Sequence, residues 1–393
     1  MIHPFEAYLV RADRARHVVS PAYDSLTTAE RRRFMDDHPD SFLHVTRSPQ
    51  DAGENLRTPL ELAKANAAQL ERILTEVNYE LLGPAIYLYR LTIDDHEQTA
   101  IVADVPLDRY ENGTIRPHER TNVDREDLLA LHLRVVGASS SPVAMSYRDH
   151  GLASRVDQLA SGPPRLEFTS PGGLWQQVWR IDDPDVIEEL SAKIDGPLYV
   201  TDGHHRLAAA ARVRAEGGMD GTVSASHEYI LSALFPDTEL RTYAFHRIIQ
   251  TTLSPNELLV VLASVAQVTP LEAAPEELGG GRGDFAMVMG GRWYHIALPV
   301  TDHALDARLL QHDVLGPVFG IDATTDPRIT YLPGTAGLAV LAHQAAEQEA
   351  VGFALGPPPV ELVLDVADRK EVLPPKSTFF SPKPRSGVFV RKY

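Results

Sequence analysis

Cysteine is absent from the 393 residues, which removes disulfides, thiolate metal sites and cysteine nucleophiles together. Any metal would have to rest on His, Asp or Glu. Basic residues are scarce beside acidic ones, 37 Lys and Arg against 54 Asp and Glu, for a formal charge of −17. General nucleic-acid binders usually carry a basic face, so this balance argues against one. Long apolar runs are missing too: the longest strongly apolar segment, Leu258 to Ala266, is too short to span a bilayer. The start, Met1-Ile2-His3-Pro4-Phe5-Glu6, lacks the basic region and apolar stretch of a secretory signal. The expectation is a cytoplasmic protein that engages neither nucleic acid nor membrane.

What is present is an ordinary globular composition, 44% hydrophobic and 23% charged. A chain of this length has room for about two or three domain-sized units, although mixed α and β folds also run this long undivided. No repeat, low-complexity tail or shift of composition separates one part from another. Residues 1–393 therefore read as one integrated unit, open to a division into two lobes.

Periodicity and turn chemistry predict a mixed pattern. Thr27 and Glu30 have the spacing of a capping box, so a helix should begin there. Leu62, Leu70, Ile73 and Leu74 fall near one face of a helix over 60–74. Ile86 to Leu91 and Ala100 to Ala103 read as strands joined by the acidic turn at Asp94-Asp95-His96. His44, between apolar residues, reads as a strand histidine. Helices are expected over 128–136, 184–190, 204–214 and 257–266, and strands over 177–181, 198–200 and 228–235. Gly279 to Gly283 and Gly356 to Pro359 read as loops.

The strongest chemical signal is Thr201-Asp202-Gly203-His204-His205-Arg206. A strand runs through a glycine turn directly into an alanine-rich helix, so the first helical N–H groups and the positive end of the helix dipole face one place. Such a place attracts anions. His204, His205 and Arg206 add side-chain donors, and the planar Arg206 fork can hold two phosphate oxygens. Gly203 permits close backbone approach, and Asp202 could cap the helix or hold a cation beside the anion. Zinc fits poorly, because adjacent helical histidines diverge by about 100°.

A second cluster, Arg116-Pro117-His118-Glu119-Arg120-Thr121, sets imidazole, carboxylate and guanidinium groups beside a stiffening proline. It could form an acid/base pair against an ionic substrate, and it could equally be solvated loop charge. The third cluster is Pro374-Pro375-Lys376-Ser377-Thr378, followed by Lys383. It echoes the end of a phosphate loop without that loop's glycines, so a Walker site is rejected, and two lysines and two hydroxyls between prolines remain as a phosphate clamp.

Together with Pro21-Ala22-Tyr23-Asp24-Ser25, these segments resemble the domain-of-unknown-function family numbered 1015. That family is expected to carry Pro-Pro-Tyr-Asp-Val, Lys-Pro-His-Glu-x-Thr, Ala-Asp-Gly-His-His-Arg and Pro-Pro-Lys-Ser-Thr-Tyr-Phe-Tyr-Pro-Lys in this order. The chain departs at Ala22, Ser25, Arg116, Thr201 and Ser381, the last losing an aromatic hydroxyl. The Asp-Gly-His-His-Arg segment is also similar to the signature of free serine kinases in the ParB and sulfiredoxin-like group.

The resemblance implies an α+β fold of mixed sheets with helices, with a strand-turn-helix phosphate-binding core at about 175–250. It implies phosphoryl transfer from ATP, ADP or pyrophosphate, with Mg²⁺, to a small hydroxyl compound, L-serine first. Gly203, His204, His205, Arg206, Lys376, Ser377, Thr378 and Lys383 would bind phosphate or nucleotide. Glu119, His118 and Asp202 would be the catalytic groups, and Asp24 a metal ligand. A nucleotide-binding switch without amino-acid kinase activity and a metal-assisted phosphatase or other hydrolase use the same residue types. Donor, acceptor and oligomeric state are open from sequence.

Overall fold

The computed structural model describes residues 1–51, 58–220, 225–280, 283–299 and 305–393, without the side chains of Asp24 and residues 218–220. The chain forms two compact units. The first comprises residues 1–117, 121–240 and 382–393, and the second residues 118–120 and 241–381. The boundary after Leu240 falls inside the segment 175–250 singled out above.

The first unit is built on an 11-stranded sheet in which most neighbours run antiparallel. Parallel pairing joins strands Val143–Tyr147 and Tyr229–Pro236, and joins Ile115–Arg116 to Leu198–Asp202. The hairpin Tyr79–Ile93 and His96–Pro106 lies at its centre. Successive residues of the hairpin serve opposite faces. Tyr87, Tyr89, Ala100 and Val102 enter one buried cluster, and Ile86, Leu88, Ile101 and Ala103 enter another. Burial on both sides is why these strands read as continuous apolar runs instead of alternating ones. Helix Pro59–Ile73 packs Leu70 and Ile73 into the first cluster. Helices Leu152–Leu159, Pro184–Lys193 and His204–Asp220 bring Val156, Leu190 and Leu207 to the second.

Local capping chemistry works as the sequence predicts. The Thr27 hydroxyl accepts the Glu30 N–H at 3.3 Å, while the Glu30 carboxylate accepts the Thr27 N–H at 2.7 Å. His44 differs from expectation: it lies in the short 3-10 turn Phe42–His44, not in a strand. The Ser41 side chain accepts the Leu43 N–H and starts that turn, and His44 Nε2 lies 3.2 Å from the Met35 carbonyl.

The second unit is built on a six-stranded antiparallel sheet between Phe245 and Ala354, with Phe245–Ile249 and Ile329–Pro333 at one side. Helices Pro255–Leu262 and Leu338–Glu347 bury Leu258, Leu262 and Leu341. The ribbon Thr242–Tyr243 with Phe379–Phe380 carries the chain toward its last segment. Gly280 and Gly356, one from each predicted loop, meet backbone to backbone, and a Cβ on either would collide with the other loop. Residues 281 and 282 of the glycine run lie outside the described residues. Among the described residues no helix is long and apolar enough to cross a membrane.

Candidate functional site

The strand Leu198–Asp202 ends at Gly203, whose φ of +95° is backbone that L side chains rarely adopt. The helix His204–Asp220 follows at once, and the Leu207 N–H donates to the Gly203 carbonyl at 3.0 Å. Gly203 therefore occupies the N-cap position, and Asp202 precedes it. Of the two roles open to Asp202, helix cap or cation holder, the first is ruled out by its position, and its carboxylate is held by two cationic side chains. Lys383 Nζ lies 2.6 Å from Oδ1, and Arg206 Nη2 lies 2.6 Å from Oδ2. Burial pushes the Asp202 carboxyl up, but Lys383, Arg206 and His204 outweigh it and hold the group down at about 2.

The planar fork of Arg206 is engaged by protein groups. Its Nη1 donates to the carbonyls of Ser141 and Pro142, the latter at 2.8 Å, while Nη2 binds Asp202. The guanidinium lies directly over Gly203, where an added Cβ would stand 2.9 Å from Nη2. Arg206 thus fastens the strand end, the turn and the 141–142 segment together. His205 also turns to a structural partner. Its Nε2 accepts the Asn122 N–H at 3.0 Å, and a nitrogen that accepts carries no proton. Burial, with Arg125 nearby, lowers the His205 pKa, in agreement with a neutral ring. Asn122 is itself the N-cap of helix Val123–Val136. His204 is buried beside Asp202.

Lys383 reaches this place from the C-terminal segment. Gln98 Nε2 donates to the Pro382 carbonyl at 2.9 Å, and strand Phe389–Lys392 joins the large sheet beside Phe5–Val10. One carboxylate orienting two cations leaves a surplus positive charge beside the N–H groups of a helix start. That combination favours an anion.

The second unit gathers the other two motifs. Glu119 pairs in parallel with Leu373, and the Leu373 N–H donates to the His118 carbonyl at 2.8 Å. His118 is buried, with Nε2 3.2 Å from Thr378 Oγ1. The Ser377 hydroxyl donates to the Pro374 carbonyl at 2.6 Å, closing the turn that carries Lys376. Lys376 is exposed, has a left-handed φ of +59°, and holds its Nζ 4.8 Å above the Phe245 ring. His118, Glu119, Lys376, Ser377 and Thr378 thus form one neighbourhood built from segments some 250 residues apart.

The Asp24 side chain lies outside the described residues. Among those described, no three His, Asp or Glu side chains come together to hold a metal. Asp202 would have to release Lys383 or Arg206 to serve one, so it does not fit a metal in this arrangement. Sequence reasoning missed Asn122 and the carbonyls of Ser141 and Pro142. An Asn three residues before Arg125 was a readable cap, whereas the two carbonyls left no trace in the sequence.

Several solved structures are similar to this chain at low identity. A conserved hypothetical protein from Pyrococcus furiosus is 15% identical with a TM-score of 0.36, over 73% of this chain and 95% of its own. A free serine kinase in complex with AMP is 16% identical with a TM-score of 0.37, over 73% and 92%. SbnI with a C-terminal truncation from Staphylococcus aureus is 13% identical with a TM-score of 0.39, over 74% and 87%. No curated protein matches the chain. The match that covers most of the sequence is to a family: residues 2–316 fit the family described as protein of unknown function (DUF1015), and the chain belongs to it.

Proposed function

We propose that this protein is a small-molecule kinase that moves a phosphoryl group from ATP, ADP or pyrophosphate to the hydroxyl of a free amino acid such as L-serine. The observation that carries the reading is the helix start in the first unit. There, Asp202 orients Lys383 and Arg206 beside the N–H groups that follow Gly203.

Phosphoryl transfer asks a protein mainly to position its reactants and to neutralise charge on the moving group. In this reading Lys383, His204 and the helix amides bind donor phosphate. Arg206 and His205 keep that end of the helix in place through their partners. Lys376 grips phosphate or acceptor, with Ser377 and Thr378 shaping its turn. Glu119 takes the proton of the acceptor hydroxyl as its oxygen bonds to phosphorus and the donor's P–O bond breaks. His118 orients Thr378 beside it. Mg²⁺ binds one or two carboxylates together with substrate phosphates, so it would enter with the nucleotide and lessen the charge on the phosphates.

Incubating the protein with serine, Mg²⁺ and each donor in turn, and following products by ³¹P NMR, tests the reading. Phosphoserine is the expected product. Free phosphate formed without serine would mean a hydrolase, and tight nucleotide binding with no product would mean a switch. Glu119→Gln should keep donor binding within about twofold and lose most turnover, by a factor of about 10² or more. A fully active variant would assign the base elsewhere.

A further inference from the structure

Among the described residues, Lys376 is one of four non-glycine residues with a left-handed backbone. Such a conformation is unfavourable for a residue with a Cβ, and it persists only where surrounding contacts impose it. The strand Phe245–Ile249 supplies those contacts from two residues on one face. The Phe245 ring lies 4.8 Å beneath the Lys376 ammonium, and Arg247 Nη2 donates to the Lys376 carbonyl at 3.0 Å. Arg247 is only 3% exposed. Its guanidinium stacks 4.7 Å over Tyr331, its cross-strand neighbour, and donates to the Phe245 carbonyl.

Among the described residues Arg247 has no carboxylate partner, and burial lowers its pKa to about 10. Burying an unpaired guanidinium is costly, and an aliphatic side chain would fill the space at less expense of desolvation. The arginine is explained by the carbonyl it holds.

We infer that Arg247 is a positioning residue: it pins the carbonyl of the left-handed Lys376 and so aims that ammonium at phosphate, an assignment that rests on the phosphate-gripping role proposed above for Lys376. It touches neither substrate in this scheme and acts through the turn.

Two measurements on the full chain test this. In amide hydrogen exchange, Arg247→Met should speed exchange across 373–380 at least tenfold while the six-stranded sheet keeps its protection. Unchanged exchange there would overturn the positioning role. In calorimetric titrations with pyrophosphate and with ADP, Arg247→Met and Lys376→Ala should each weaken binding about tenfold. The double variant should be no weaker than Lys376→Ala alone, because Arg247 works through Lys376. Additive losses would overturn the inference. Arg247→Lys, which keeps a donor in a safer fold, should lie between the wild type and Arg247→Met. In a Lys376→Gly background, where the turn needs no enforcement, replacing Arg247 should leave affinity unchanged. If the wild type binds neither probe, the functional reading falls, and hydrogen exchange alone decides whether Arg247 holds the turn.

Discussion

Replacing Asp202 by Asn keeps the shape of the side chain and removes the charge that two cations share. The Asp202 carboxyl stands at about 2 against an ordinary 3.8, worth about 2–3 kcal/mol of stability at neutral pH. Because the folded value is the lower one, this contribution is complete well above pH 4 and is lost as pH falls toward 2. At about pH 3 roughly half of it remains. In a unit of this size 1 kcal/mol moves the melting temperature by about 2–4 °C. Melts of wild type and variant in matched buffers should therefore differ by about 5–10 °C at about pH 7, and the gap should narrow by about half at about pH 3. At the same time the variant leaves Lys383 and Arg206 uncompensated, so at about pH 7 pyrophosphate should bind it more tightly than wild type. Stability and anion affinity thus move in opposite directions. A melting gap that stays constant with pH would refute the ion-pair account, and weaker pyrophosphate binding would refute the placement of the anion.

Gly203→Ala puts a side chain on a backbone at φ +95° and under a guanidinium pinned by three contacts. It should cost about 2 kcal/mol and weaken donor binding as well, so a variant that melts and binds like wild type would contradict the packing described. Gly356→Ala forces apart the backbones of two loops in the second unit and should destabilise that unit by about 3 kcal/mol, read from urea unfolding followed by Trp293 fluorescence. The buried pair Asp104 and Arg391 gives the opposite pH sense to Asp202. Burial pushes the Asp104 carboxyl up to about 6 despite Arg391 at 2.7 Å. Wild type should therefore lose stability relative to Asp104→Asn as pH rises from about 4 to about 6, and a gap independent of pH in thermal melts would count against it.

Much of the first unit was legible because its cues are local. The capping box at Thr27 and the alanine-rich helix after Gly203 depend on residues within a few positions of one another. The hairpin turn at Asp94 and Asp95 links strands of continuous apolar character. The second unit was mostly invisible. Strand Gln267–Leu271 has no buried residue and Arg292–Ala297 mixes exposed positions with buried ones, and their order in the sheet comes from non-local pairing. The helix expected to reach Ala266 stops at Leu262, because the chain turns there to enter the edge strand.

By itself, the sequence determined which kinds of group stand at the strand-turn-helix junction and that a glycine turn leads into the helix, since these follow from backbone geometry over six residues. Tertiary structure alone decided what those groups do. It brought Lys383 to Asp202 across 181 positions, turned His205 toward Asn122, and set His118 against Thr378 and Arg247 under Lys376. Charge and hydrogen bonding act over a few ångströms, and distances that short between remote residues exist only once the chain has folded.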